Sequence, residues 1–120
     1  MAQTSTLKPI GPIQAVSVTN VASAPITVAA FTDNERVNFA AFQNSGATDV
    51  IAQFGKVGKC PTPVFPVPAT PGGVPLGAVF LHANMVLPLI VETPEGPFDV
   101  IFIGAAAGPS LTYCYPVGPQ

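Results

Sequence analysis

The side chains able to do chemistry are few in this chain, and their spacing fits no reaction. His82 is the single histidine. A catalytic zinc takes three protein ligands around an open position. Cys60, Cys114 and the six acidic residues offer none at a metal-binding spacing from His82. A thiolate nucleophile needs a base beside it and a third group to orient that base, and nothing in the sequence assembles such a set around either cysteine. Ser110, in "GPSLT", does not carry the pair of glycines, one two positions to each side, that a nucleophile elbow uses. "GKVGK" (55–59) has glycine and lysine but neither the phosphate-loop spacing nor a following Ser or Thr, and reads as a strand end with two solvated lysines. Glu92 and Glu95 flank one turn, and Asp33 and Glu35 flank another. Paired carboxylates can cleave a glycosidic bond or hold calcium, but turn acids are ordinarily solvated and no aromatic-lined cleft is signalled around them. The expectation is a non-enzymatic protein with no cofactor and no metal.

Composition points to a chain that lives against other proteins. The 120 residues make one domain. Only 8% are charged, against about 25% in an ordinary globular protein, while 48% are hydrophobic. A domain of this size leaves roughly a third of its unfolded-chain surface in water, so much of that surface must be apolar or neutral, and subunit contacts are its natural cover. A net charge of −2 with four basic residues makes nucleic acid an unexpected partner. The most apolar run, "VFLHANMVLPLIV" (79–91), is interrupted by His82, Asn84 and Pro88, well short of the roughly 20 clean residues of a membrane span. The opening "MAQTSTLKPI" has no basic start followed by an apolar run, so no export signal is expected, and two reduced thiols are expected rather than a disulfide.

The elements that would carry these residues are strands. Fifteen prolines leave few windows long enough for a helix. "AVSVT" (15–19) alternates, and "PITVAAF" (25–31) is β-branched at Ile26, Thr27 and Val28. "RVNFAAFQN" (36–44) places Val37, Phe39 and Ala41 on one face, and "DVIAQFG" (49–55) places Val50, Ala52 and Phe54 on one face against Ile51 and Gln53. "AVFLHANMVLPLIV" (78–91) holds one strand or two short ones, with Pro88 at an edge or bend. "FDVIFIG" (98–104) is apolar on both faces and belongs in the centre of a sheet, and "LTYCY" (111–115) alternates Leu111, Tyr113 and Tyr115 against Thr112 and Cys114. Between them lie the turn-forming "TDNER", "NSGATD", "TPEGP" and "AAAGPS". Seven to eight short strands at this spacing predict an all-β fold, an antiparallel β-sandwich or jelly roll. The domain runs over 15–116, between an extended N-terminal arm (1–14) and a C-terminal tail (117–120).

One segment, "CPTPVFPVPATPGGVP" (60–75), is neither helix nor central strand, with six prolines and two adjacent glycines in sixteen positions. Prolines at this spacing favour polyproline II, which is stiff and leaves its backbone free to bond outward. Val64, Phe65 and Val67 are apolar teeth that an idle linker does not need, and they are candidate contacts with a neighbouring subunit. Ile101 and Ile103, on the strand that is apolar on both faces, are candidates for the same role.

The run from "RVNFAAFQNSGATDVIAQFG" (36–55) to "FDVIFIGAAAGPSLTYCYP" (98–116) resembles the small β-sandwich structural proteins of tailed bacteriophages. The shared order is an "R-V" strand, an Asn-x-Gly turn (here Asn44, Ser45, Gly46), a strand ending in "F-G" (Phe54, Gly55), a variable loop and three further strands. The chain departs from that pattern at Leu87 and Pro88, where a Pro-Gly turn is commoner, and in its proline insertion. The resemblance implies a capsid decoration, or cement, protein on the outer surface of the virion, made in the host cytoplasm. Its partners would be further copies of itself, as a dimer or with slight preference a trimer, and the major capsid protein, whose neighbouring subunits it would clamp. A tail or head-fibre component contacting the host is the alternative within the virion, and a cellular carbohydrate-binding or adhesin module is a more distant one.

Overall fold

The structure, a computed structural model, describes residues 7–31, 37–63, 78–94 and 96–119. The described residues contain nine strands: β1 (Leu7–Pro9), β2 (Gln14–Val18), β3 (Ile26–Val28), β4 (Phe39–Asn44), β5 (Val50–Lys56), β6 (Ala78–Leu81), β7 (Leu89–Glu92), β8 (Phe98–Gly104) and β9 (Ser110–Pro119). All ladders are antiparallel. Sheet I has the order β2-β9-β4-β7, with β1 continuing beside β9 where β2 leaves off, and sheet II has the order β3-β8-β5-β6. From β2 onward every connection except β5–β6 crosses between the sheets. That alternation is the jelly-roll order of an eight-stranded double sheet, with β1 added at one edge.

Period-two alternation decides which side chains enter the core. Val18 from β2, Ala40 and Phe42 from β4 and Cys114 from β9 meet Val28 from β3, Val50 and Ala52 from β5, Leu81 from β6, and Phe98, Val100 and Phe102 from β8. Aromatic rings tie the two layers: Phe42 stacks on Phe54 at 6.4 Å and meets the edge of Phe102 at 6.4 Å, while Phe54 meets Phe98 at 5.9 Å. These are the offset and edge-on distances that ring quadrupoles favour. Burying each of the fully enclosed rings contributes about 1.5–3 kcal/mol.

One segment takes the second of its two expected forms, and two others differ from the sequence-based expectation. The stretch 78–91 is two strands in different sheets, β6 in sheet II and β7 in sheet I, and Pro88 stands immediately before β7. Residues 7–9 and 117–119, expected in an arm and a tail, pair with one another as an edge of sheet I, Leu7 opposite Pro119. Strand β9 also runs through Pro116, between partners on both sides. It does so because β1 and β2 are separate: Ile10 donates to the Pro116 carbonyl at 3.0 Å, so the nitrogen of Pro116 faces that same side, where the chain bends between the two strands. No ladder bond is lost there, which is the condition under which a sheet tolerates proline.

Candidate interaction surface

The reactive side chains are scattered through this frame. His82 is exposed at the end of β6, its Nδ1–H donating to the Ala83 carbonyl at 2.8 Å. Cys114 faces the core from sheet I, where burial pushes its thiol up to about 12. Cys60 lies on the far side of sheet II, its thiol donating to the Gln53 carbonyl at 3.1 Å. Burial raises its pKa, an Ile101 N–H opposes that rise, and the nearby Asp99 carboxylate adds to it. Both thiols are free. Neither is a poised nucleophile, because a reactive cysteine has its thiolate favoured. Glu92 is exposed on β7, and Asp33, Glu35 and Glu95 lie outside the described residues. Among the described residues no three His, Cys, Asp or Glu side chains are grouped to hold a metal ion. No described helix is long and apolar enough to cross a membrane.

The two sheets turn very different outer faces to the surroundings. On sheet II the chain covers itself. After β5 it turns at 56–59, closed by the Lys59 N–H to Lys56 carbonyl bond at 2.8 Å, and Gly58 takes the left-handed φ of 78° that a side chain would strain. Gly58 then donates to Asp99 Oδ2 at 2.9 Å while Thr27 donates to Oδ1 at 2.7 Å. Those two bonds, the Gly58 one foremost, hold the Asp99 carboxyl below its usual range. The backbone at Cys60 packs directly above Gly55. Ile51, Gln53, Asp99 and Ile101 all point outward from sheet II, yet all are buried; the cover stops short of Phe80, opposite Ile51 on the edge strand β6, which is 54% exposed.

No such turn folds back over sheet I among the described residues, although Ala41 and Val117 on its outer face are buried. The ladder registers place Ala15, Ser17, Phe39, Ala41, Gln43, Ile90, Glu92, Leu111, Tyr113, Tyr115 and Val117 on its outer face, and Glu92 is the only charge among them. Phe39, Ile90 and Leu111 are 38–44% exposed, and Tyr113 and Tyr115 are half-buried beside them.

At one end of this face the β6–β7 connection raises Val86 and Leu87, 86% and 74% exposed. It is firmly braced. Asn84 and Met85 donate backbone N–H groups to the carbonyls of Gly46 and Asn44 at 2.8 and 2.9 Å, and Gln43 Nε2 reaches the carbonyls of Met85 and Val86 at 3.2 and 3.3 Å. Beneath lies a buried polar knot, in which only the Thr48 hydroxyl has no hydrogen-bond partner among the described residues. Buried Asn44 donates to the carbonyls of Thr48, Leu81 and His82 at 2.7, 3.1 and 3.2 Å, and its Oδ1 accepts from Ser110 Oγ at 2.6 Å. Asp49 Oδ1 accepts from Ala83 N–H at 2.8 Å. A side chain at Gly46 would collide with Ser110, which is why that turn ends in glycine.

Of the residues singled out from sequence, Val64, Phe65 and Val67 lie outside the described residues. Ile101 is buried under its own chain and has little surface to offer, while Ile103, opposite Ile51, is half-buried on the same face of sheet II. The aromatic face of sheet I was visible as the alternation in "LTYCY", but alternation alone does not say which side is out. Here the side carrying Thr112 and Cys114 is the inner one. Comparison with protein-family models, with curated proteins and with solved structures finds no match to this chain.

Proposed function

We propose that this chain is a non-enzymatic structural protein of a virion, a decoration or cement subunit on the outside of a phage capsid. The observation that carries the reading is the outer face of sheet I, with Glu92 its single charge and Val86 and Leu87 braced at its end, an arrangement suited to binding protein surface. A jelly roll by itself supports many unrelated functions, so the fold favours no particular role. The order of turns and strand ends in the sequence supplies the phage assignment. A clip that buries area at each seam of a strained shell stabilises it, and repetition over the shell adds avidity. The proline-rich segment is a second proposed contact, with Val64, Phe65 and Val67 as its anchors and the major capsid protein as its target.

Mass spectrometry and imaging of purified particles test this. Many copies distributed over the head support it; absence from particles, or a few copies at the tail tip, rejects it. Phe65→Ala is expected to weaken attachment to shells by about 10-fold or more, the equivalent of part of a buried Phe. Deletion of residues 64–73 is expected to weaken it further while the sandwich stays folded.

A further inference from the structure

We infer that the outer face of sheet I is a self-association surface, on which a second copy of this chain packs through the same face. The inference concerns the partner at the surface just described and stands whether or not the assembly is a capsid.

Area is the first argument. With about 200 Å² for a large side chain, the exposures of Phe39, Ile90, Leu111, Val86 and Leu87, with the half-buried tyrosines, amount to roughly 600 Å² of apolar surface. Free monomers rarely leave a contiguous apolar patch above about 300–600 Å². A stable complex hides about 800 Å² per partner, which this face reaches once Ala15, Ser17, Gln43 and the face's backbone are added.

Charge is the second. A partner chosen by ion pairing would find only Glu92 here. A second copy is itself 8% charged, and the one charge its matching face brings, Glu92, is exposed on the edge strand β7, where it can stay in water at the rim and not be buried unpaired. A face that meets its own copy about a two-fold axis also makes each residue contact twice.

Rigidity is the third. Most of the face lies on hydrogen-bonded strands, and the Val86–Leu87 rim is held by Gln43, Asn44 and Gly46. Little order remains to be imposed on association, which is where flexible surfaces lose affinity. A sugar polymer stacking on Tyr113 and Tyr115 is the competing occupant. It is disfavoured because both rings are half-buried and the Gln43 amide is already engaged.

Sedimentation of the full-length chain at tens of micromolar tests the inference. A dimer is expected. Ile90→Glu and Val86→Asp should each raise its dissociation constant by about 30-fold or more, as charges placed among apolar interface contacts do. Val57→Glu, at an exposed site on the turn over sheet II, should leave it unchanged. Circular dichroism confirms that each variant is folded; Val86 is so exposed that its variant keeps the test open if Ile90→Glu does not fold. A monomeric parent, with or without polysaccharide binding, overturns the inference. So does a trimer, whose closed ring cannot use one face twice, or a dimer that survives both face variants.

Discussion

The outer faces of the two sheets start from similar strands and end in opposite conditions. Strand β8 offers Ile101 and Ile103 outward, and β9 offers Tyr113 and Tyr115. On sheet II the residues after β5 fold back and fasten to Asp99, and Ile101 beside it is buried on the outer face. On sheet I the neighbouring connection, β6–β7, stops at the rim and displays Val86 and Leu87 instead of lying across the strands. The difference lies in the connections and not in the strands. A polar clamp buries much of one apolar face under the molecule's own chain, and no such clamp lies over the other among the described residues.

Mutations on matched positions of the two faces break or sharpen that contrast. The largest effect is expected from Ile101→Ala, which should cost about 3 kcal/mol of stability by removing buried methyl groups, measured by urea denaturation of dilute protein. Asp99→Asn comes next, at about 1–2 kcal/mol, because hydrogen bonds to the charged carboxylate are lost. The parent's dependence on acid follows from the same group. The pKa of Asp99 is lower folded than unfolded, so its contribution is complete above the ordinary carboxylate range and disappears as pH falls through the lowered value. Stability of the Asp99→Asn variant should therefore fall less steeply in acid. Loosening this clamp should also speed the reaction of Cys60 with a thiol reagent, while Cys114, enclosed in the core, stays unreacted until global unfolding. The smallest effect is expected from Ile90→Ala on the open face, under about 1 kcal/mol in dilute protein, because that side chain is already partly in water. Equal losses from Ile90→Ala and Ile101→Ala would show the two faces to be equivalent and remove the contrast.

Much of the fold was legible in the sequence because its strands are short, alternating and punctuated by turn residues. The central position of "FDVIFIG" followed from its two apolar faces, and the Asn-Ser-Gly turn from its composition. The split of 78–91 was not settled, since an apolar run does not reveal that its two halves belong to different sheets. Strand β9 was read too short, because Pro116 should end a strand unless its neighbour breaks at the same level, and that break lies a hundred residues away along the chain, at 10–13. The candidate surface was only half legible. Its aromatic alternation could be seen, but its exposure depends on what the other connections cover.

Strand β9 has one more consequence, for the order in which the molecule can form. It is the shared neighbour of β1, β2 and β4, so sheet I has no centre until β9 is in place. It is also the last of the nine strands to leave the ribosome. Until then β2 and the β9-facing side of β4 wait with backbone groups unpaired, and the β2–β9 ladder closes over most of the length of the chain. Long-range closure of this kind slows folding and leaves intermediates open to aggregation. Folding should be slow and sensitive to concentration, and a chain cut before Ser110 should retain at most the β4–β7 ladder of sheet I.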